Sequence, residues 1–364
     1  MAFHNHKAPT HYKNFYYGKR TEWLKPMPNG VNRWISMIGC YMTGIFPRPK
    51  ELISITRDYE RGRTGKAELD KAFSDATLKV VEAQSSAGLN YVADGMLRWQ
   101  DPLRPFTENL NGVKIGGLAR WFNNNMFYRK PVITGELSWK KRADPKIIDI
   151  EHLPKNLHWK AILPAPYTLA QLSEDNFYKD KTELVFKYAR LVREQIESSV
   201  KQGFKYIQLS DPALVYKPRL AQISRDEVKI AGEALRLAIG GVSARTCLQT
   251  FFGDFCQILP EALDFPVDDL GIDFYETDID GLKGYKFGKG IALGLVDSRG
   301  SLVEKVGELV VVAKEIIKSI EGDGVSAFFL CPNCDLEFLP WERALEKVKV
   351  VSRVAKRLRE EFDE

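Results

Sequence analysis

The sequence predicts an α/β protein, a (β/α)8 TIM barrel, from three observations. Eight short apolar stretches read as strands, each ends on a polar or proline-containing tip, and the segment after each tip carries helical periodicity. The pattern is clearest in Lys205–Leu214, KYIQLSDPAL, where Asp211-Pro212 stops the ladder because proline has no N–H to donate. The other seven stretches begin at Ser36 (SMIGCYMTGIFPRP), Asn90 (NYVADG), His158 (HWKAILPAP), Ala244 (ARTCLQTFFGD), Leu270 (LGIDFYETD), Ile291 (IALGLVDSRG) and Val325 (VSAFFLCPNCD). Closing them into a barrel leaves no sheet edge exposed, and the chemistry of such a barrel sits at the C-terminal ends of its strands.

At 364 residues the chain exceeds the roughly 250 of a plain barrel. The excess predicts an N-terminal extension over residues 1–32, one barrel over 33–364, and an insertion over 100–157 that holds a short strand pair across one barrel mouth. His4, His6 and His11 in the extension read as solvent groups in preference to a chelating set. In the insertion, Trp121, Phe122, Phe127 and Tyr128 read as rim packing, with stacking on a flat ligand as the alternative. Helices are expected over Lys66–Ser86, Glu183–Lys201, Arg225–Ala238, Leu302–Ile320 and Trp341–Phe362.

Composition narrows the function. A net charge of +5, from 53 basic and 48 acidic residues, is small and dispersed, with no basic stripe for a nucleic acid. No apolar run reaches a membrane span and no signal-peptide core opens the chain, so the expectation is a cytoplasmic protein with small-molecule substrates. Five cysteines fit a reduced compartment and not a disulfide framework. The glycine-rich phosphate motifs GxGxxG and GxxxxGK[ST] are absent.

The strand tips bring forward Arg48, Asp94, Ser210, Asp211, Asp254, Glu276, Asp297, Cys331 and Cys334. A carboxylate and a thiolate, Glu276 and Cys334, suit zinc, and Cys331 offers a third donor through the Cys-x-x-Cys spacing. Incidental buried thiols explain a lone Cys-x-x-Cys equally well. Cys247 and Cys256 read as core. Arg48, Asp94, Ser210, Asp211 and Asp297 are the expected substrate-binding residues, Arg48 as a bidentate anion donor or, alternatively, a surface group.

From Thr43 to about Val351 the motifs resemble the cobalamin-independent methionine synthase family. TGIFPRPKEL is similar to its IGSFPRP segment, NYVADGM to LxxxGE, APYTLAQLS to GPxTxxxLS, YIQLSDPAL to IQIDEPAL, GLVDSRGSLVE to GVVDxxxxxVE and LCPNCDLEF to NPDCGL. The resemblance implies zinc-dependent transfer of a methyl group from a methyl-tetrahydropterin to the homocysteine thiolate, with Glu276 and Cys334 as two of the metal ligands.

The departures bear on that chemistry. Phe251 and Gly253 stand where the family carries a His-x-Cys pair, and His158 is the last histidine of the chain. Ile45, Met96 and Ser210 stand where the family's homocysteine-binding serine, glutamate and aspartate would be, and Leu172 replaces a tryptophan expected against the pterin. TFFGDF and LDFPVDDLGIDF resemble the family's non-catalytic N-terminal barrel. The expected function is methyl transfer from a methyl-tetrahydropterin or corrinoid donor to homocysteine. Two alternatives stand beside it: a non-catalytic folate-binding or partner barrel working with a separate zinc-bearing subunit, and a methyltransferase for another thiol.

Overall fold

The computed structural model describes residues 37–141, 153–216, 222–320 and 324–362; the expected extension over 1–32, with its three histidines, lies outside them. The strands in chain order are β1 (Ile38–Cys40), β2 (Leu110–Arg120), β3 (Phe127–Trp139), β4 (Lys160–Pro164), β5 (Glu174–Asp175), β6 (Tyr206–Ser210), β7 (Arg245–Gln249), β8 (Asp269–Asp273), β9 (Gly290–Val296) and β10 (Phe328–Pro332). Seven of them form a parallel sheet in the order β1-β10-β9-β8-β7-β6-β4. Their burial is nearly continuous, as expected of strands covered on both faces.

The eighth expected strand, NYVADG, is reduced to a bridging segment that spans the gap between β1 and β4. Asn90 N donates to Cys40 O at 3.0 Å, Cys40 N donates to the Asn90 side-chain oxygen at 2.9 Å, and Val92 makes a single parallel bridge with Trp159. The physical reason is a side chain acting as a strand. Gln84 takes the N–H of Ala93 at 3.1 Å and donates to its carbonyl at 2.8 Å, so the backbone at Ala93 is satisfied without a ladder. Gly95, at φ 79°, then turns the chain away.

Helices cover the outer face of the sheet. The one at Lys66–Ala87 ends on left-handed Gly88, that at Lys181–Gln202 opens on Asp180, whose carboxylate accepts from Thr182 N and Glu183 N, and that at Arg225–Ile239 opens on a Ser224/Glu227 capping box. A helix at Lys50–Glu60 was not expected. The helix expected from Leu302 starts at Val306, because the preceding loop is gathered by buried Lys347, whose Nζ donates to Asp297 O, Leu302 O and Glu304 Oε1 at 2.7, 2.7 and 2.8 Å.

The insertion is a longer hairpin than expected, 11 residues of β2 against 13 of β3, joined by β5. Its turn brings Phe122 edge-on to Tyr216 at 5.0 Å and within 5.8 Å of Phe252, just beyond the end of β7. Rim packing is therefore what Phe122 does.

Inside the barrel the lower layer is polar. Lys160 is buried, with Nζ donating to Met42 O at 3.0 Å and lying 3.2 Å from the centre of the Tyr41 ring. Burial pushes its pKa down to about 7 from 10.5, despite the opposing pull of Cys247, Cys331 and Asp269. Below pH 7 both folded and unfolded chains carry the proton and the full cost of burying the charge is present. Between about 7 and 10.5 the unfolded chain holds more protons, so stability rises with pH across that window. Lys160→Met should flatten that rise in urea-unfolding free energies between neutral and mildly alkaline pH; an unchanged slope would contradict the assignment.

Candidate active site

Beyond β1 the chain meets the loop after β10 at unusually short range. Thr43 Oγ1 donates to Cys334 O at 2.7 Å, Leu336 N donates to Ile45 O at 3.0 Å, and Ile45 N donates to Asp335 Oδ1 at 3.3 Å. Only glycine fits at position 44, where a Cβ would lie 1.5 Å from Asp335 Oδ1. These contacts carry the Asp335 carboxyl into a cavity of about 20 Å3 at the C-terminal ends of the strands, lined by Ile45, Met96, Trp121, Ser210, Phe251 and Asp335 among others.

The cavity has a polar side. Ser210 Oγ accepts from Gln208 Nε2 at 2.8 Å. Thr168, also in the lining, donates to Asp211 Oδ1 at 2.5 Å and accepts from Ala213 N at 3.1 Å. Trp121 Nε1 is buried without an acceptor among the described residues. Burial raises the pKa of Asp335, and it raises that of Glu337, which feels the Asp335 charge as well.

A second group lies at the ends of β8 and β9. Asp273 ties three tips together, accepting from Phe252 N at 3.1 Å, Tyr275 N at 3.0 Å and Asn333 Nδ2 at 3.2 Å, and burial still pushes its pKa up to about 6. Glu276 accepts from Arg299 Nη1 at 2.5 Å, and Asp297 Oδ1 accepts from Arg299 N at 2.9 Å.

The expected substrate-binding set is thus divided. Ser210 lines the cavity, and Asp211 stands behind it through Thr168. Asp94 shapes the turn that delivers Met96, accepting from Met96 N at 3.0 Å. Asp297 belongs to the β8–β9 group. Arg48 is half-buried, and its Nε and Nη2 donate to Leu97 O and Trp99 O at 2.8 and 3.2 Å, holding the segment after Asp94.

The described residues do not fit a zinc ion. Glu276 is paired with Arg299. Cys334 is buried, and its thiol donates to Asp335 O at 3.6 Å. Cys331 points into the barrel with Tyr41, Tyr206 and Cys247, in a layer separate from Cys334. Among the described residues no three His, Cys, Asp or Glu side chains are placed to hold a metal. At the position of the missing cysteine ligand, Gly253, a Cβ would sit 2.3 Å from Val215 O and 2.6 Å from Val215 C, so the backbone leaves no room for any ligand side chain.

Comparison with known proteins places this barrel. Residues 39–357, from within β1 into the last helix, match the family described as cobalamin-independent synthase, catalytic domain. The chain belongs to this family. It is similar to a methionine synthase from Sulfolobus acidocaldarius, 26% identical across 86% of this chain and 90% of that one, and to a methionine synthase from Saccharolobus solfataricus, 28% identical across 88% and 94%. Its fold is that of a B12-independent methionine synthase from Shewanella sp. W3-18-1 solved in complex with selenomethionine (TM-score 0.71, 19% identity, 91% of this chain and 99% of that one) and of a structure from Listeria monocytogenes described as a putative vitamin-B12 independent methionine synthase (0.67, 19%, 90% and 99%).

The family resemblance read from the motifs is therefore correct, and so is the barrel. Ile45, Met96 and Ser210, the three positions that depart from the family's homocysteine site, line one cavity. Thr168, Asp335 and Arg299 were not among the expected site residues, and Trp121 was read as rim packing with stacking on a ligand as the alternative. Thr168 and Asp335 left traces in the sequence, Thr168 as the threonine of the GPxT-like APYT segment and Asp335 as the acid standing where the NPDCGL segment has glycine. No described helix is long and apolar enough to cross a membrane.

Proposed function

We propose that this chain is a methyltransferase of the methionine synthase type, passing a methyl group from a methyl-tetrahydropterin or corrinoid donor to the thiol of homocysteine at the C-terminal mouth of the barrel. The observation that carries this reading is the family match over residues 39–357. In the reaction the acceptor thiol gives up its proton to solvent and its sulfur forms a bond to the methyl carbon, while the bond from that carbon to the donor atom breaks and leaves its electron pair there. Two tasks fall to the protein: holding the sulfur in line and keeping water out. The apolar wall of Ile45, Met96, Trp121 and Phe251 suits the second, and Ser210 and Asp335 offer polar contacts for the first.

The donor set that does not fit zinc favours a second reading, in which this barrel works beside a separate zinc-bearing barrel. The test is methionine formation from homocysteine and a methyl-labelled donor, tetrahydropterin or corrinoid, by the purified chain alone. Labelled methionine is the expected result; its formation only after a zinc-bearing family member is added would establish the second reading instead.

A further inference from the structure

We infer that Asp335 anchors the primary ammonium group of the ligand that enters the cavity at the mouth, so that the ligand is a small amine. This rests on the mouth being the acceptor site and goes beyond it by naming the group that the site recognises.

The carboxyl is 5% exposed, yet its hydrogen bonding is thin: one donor, Ile45 N, at 3.3 Å. No cation stands within ion-pair distance of it among the described residues, and Arg48 on the same side of the mouth is taken by Leu97 O and Trp99 O. A buried carboxylate without a partner is costly, and a carboxyl retained in such a place calls for a cation or a donor. Glycine at 44 is what makes room for it.

The cavity matches that demand in size and lining. About 20 Å3 admits one water-sized group, which is the size of an ammonium. Ser210 Oγ offers a second acceptor, and Trp121 Nε1, buried without an acceptor, offers a donor to a polar atom beside the amine. The rest of the wall is apolar. An anion alone would meet the Asp335 charge and is disfavoured.

The experiment is calorimetric titration of the full chain and of Asp335→Asn with L-methionine, with 3-(methylthio)propylamine, which keeps only the amine, and with 4-(methylthio)butanoate, which lacks it. The amine-bearing probes should bind the unaltered chain at least about tenfold more tightly than the butanoate, and should lose at least about tenfold in Asp335→Asn, whereas the butanoate should bind that variant no more weakly than the unaltered chain. The N,N,N-trimethyl form of the propylamine, too large for the cavity and without donors, should bind the unaltered chain no better than the butanoate. That arm needs no variant, so misfolding of Asp335→Asn does not shield the inference. Equal binding of butanoate and amines, undiminished amine binding by folded Asp335→Asn, tight binding of the trimethyl compound, or no binding of any probe would each overturn it. Amine-selective binding in a chain that makes no methionine would sink the methyl-transfer reading and leave the anchor standing.

Discussion

Asp269→Ala is expected to lower the unfolding free energy by about 3–5 kcal/mol, the usual cost of removing one partner of a buried ion pair. For a barrel of this size that corresponds to a melting temperature lower by about 4–7 °C. Asp269, the first residue of β8, is fully buried and holds Arg245 through two bonds, Nε to Oδ2 at 2.7 Å and Nη2 to Oδ1 at 2.6 Å. Tyr206 OH donates to Oδ2 at 2.7 Å. The neighbouring strand makes room for the carboxylate with Gly290, where a Cβ would lie 1.8 Å from Oδ1. Alanine leaves the half-buried guanidinium without its counter-charge and opens a gap beside Gly290. Asp269→Asn keeps an acceptor and should lose less. Urea unfolding followed by circular dichroism checks both, and a loss under about 1 kcal/mol for alanine would show that the network is not holding the lower barrel together.

The second large effect concerns the lost metal ligands. The double variant Phe251→His, Gly253→Cys restores the family's His-x-Cys residues on paper, and it should neither bind zinc nor keep the parent's stability. Any side chain at 253 drives into the carbonyl of Val215 and approaches Tyr216 N at 2.9 Å, so backbone must move in both loops. Phe251 is buried and packs edge-on to Phe252 at 4.8 Å, so histidine there also forfeits apolar contact. Together a loss of about 3 kcal/mol or more is expected. Metal analysis by plasma mass spectrometry and a thermal melt decide it: about one zinc per chain at an unchanged melting temperature would contradict this account.

These two effects show what could be read from the sequence and what could not. Tyr206–Ser210 and its counterparts were legible because a strand buried on both faces writes itself as an apolar run. The Asn90 segment shares that composition, yet its backbone is satisfied by the amide of Gln84, a contact that no local pattern records. The hairpin β2–β3 was blurred because β2 is largely exposed after Leu110 and so carries no alternation, although β3 alternates from Pro131 to Trp139. At the site, the family motifs located the mouth and the positions that had changed. They did not show that Arg299 would pair with Glu276 or that Asp335 would be carried across to Ile45, because both depend on loops from different strands meeting in space.

Methyl transfer at a mouth whose residues do not form a zinc site should not depend on bound zinc. The most direct measurement is the rate of labelled methionine formation from homocysteine by the purified chain, before and after exhaustive treatment with a zinc chelator. Label should appear in methionine at the same rate in both. Loss of activity on chelation with recovery on added zinc, or no label with either donor, would contradict it.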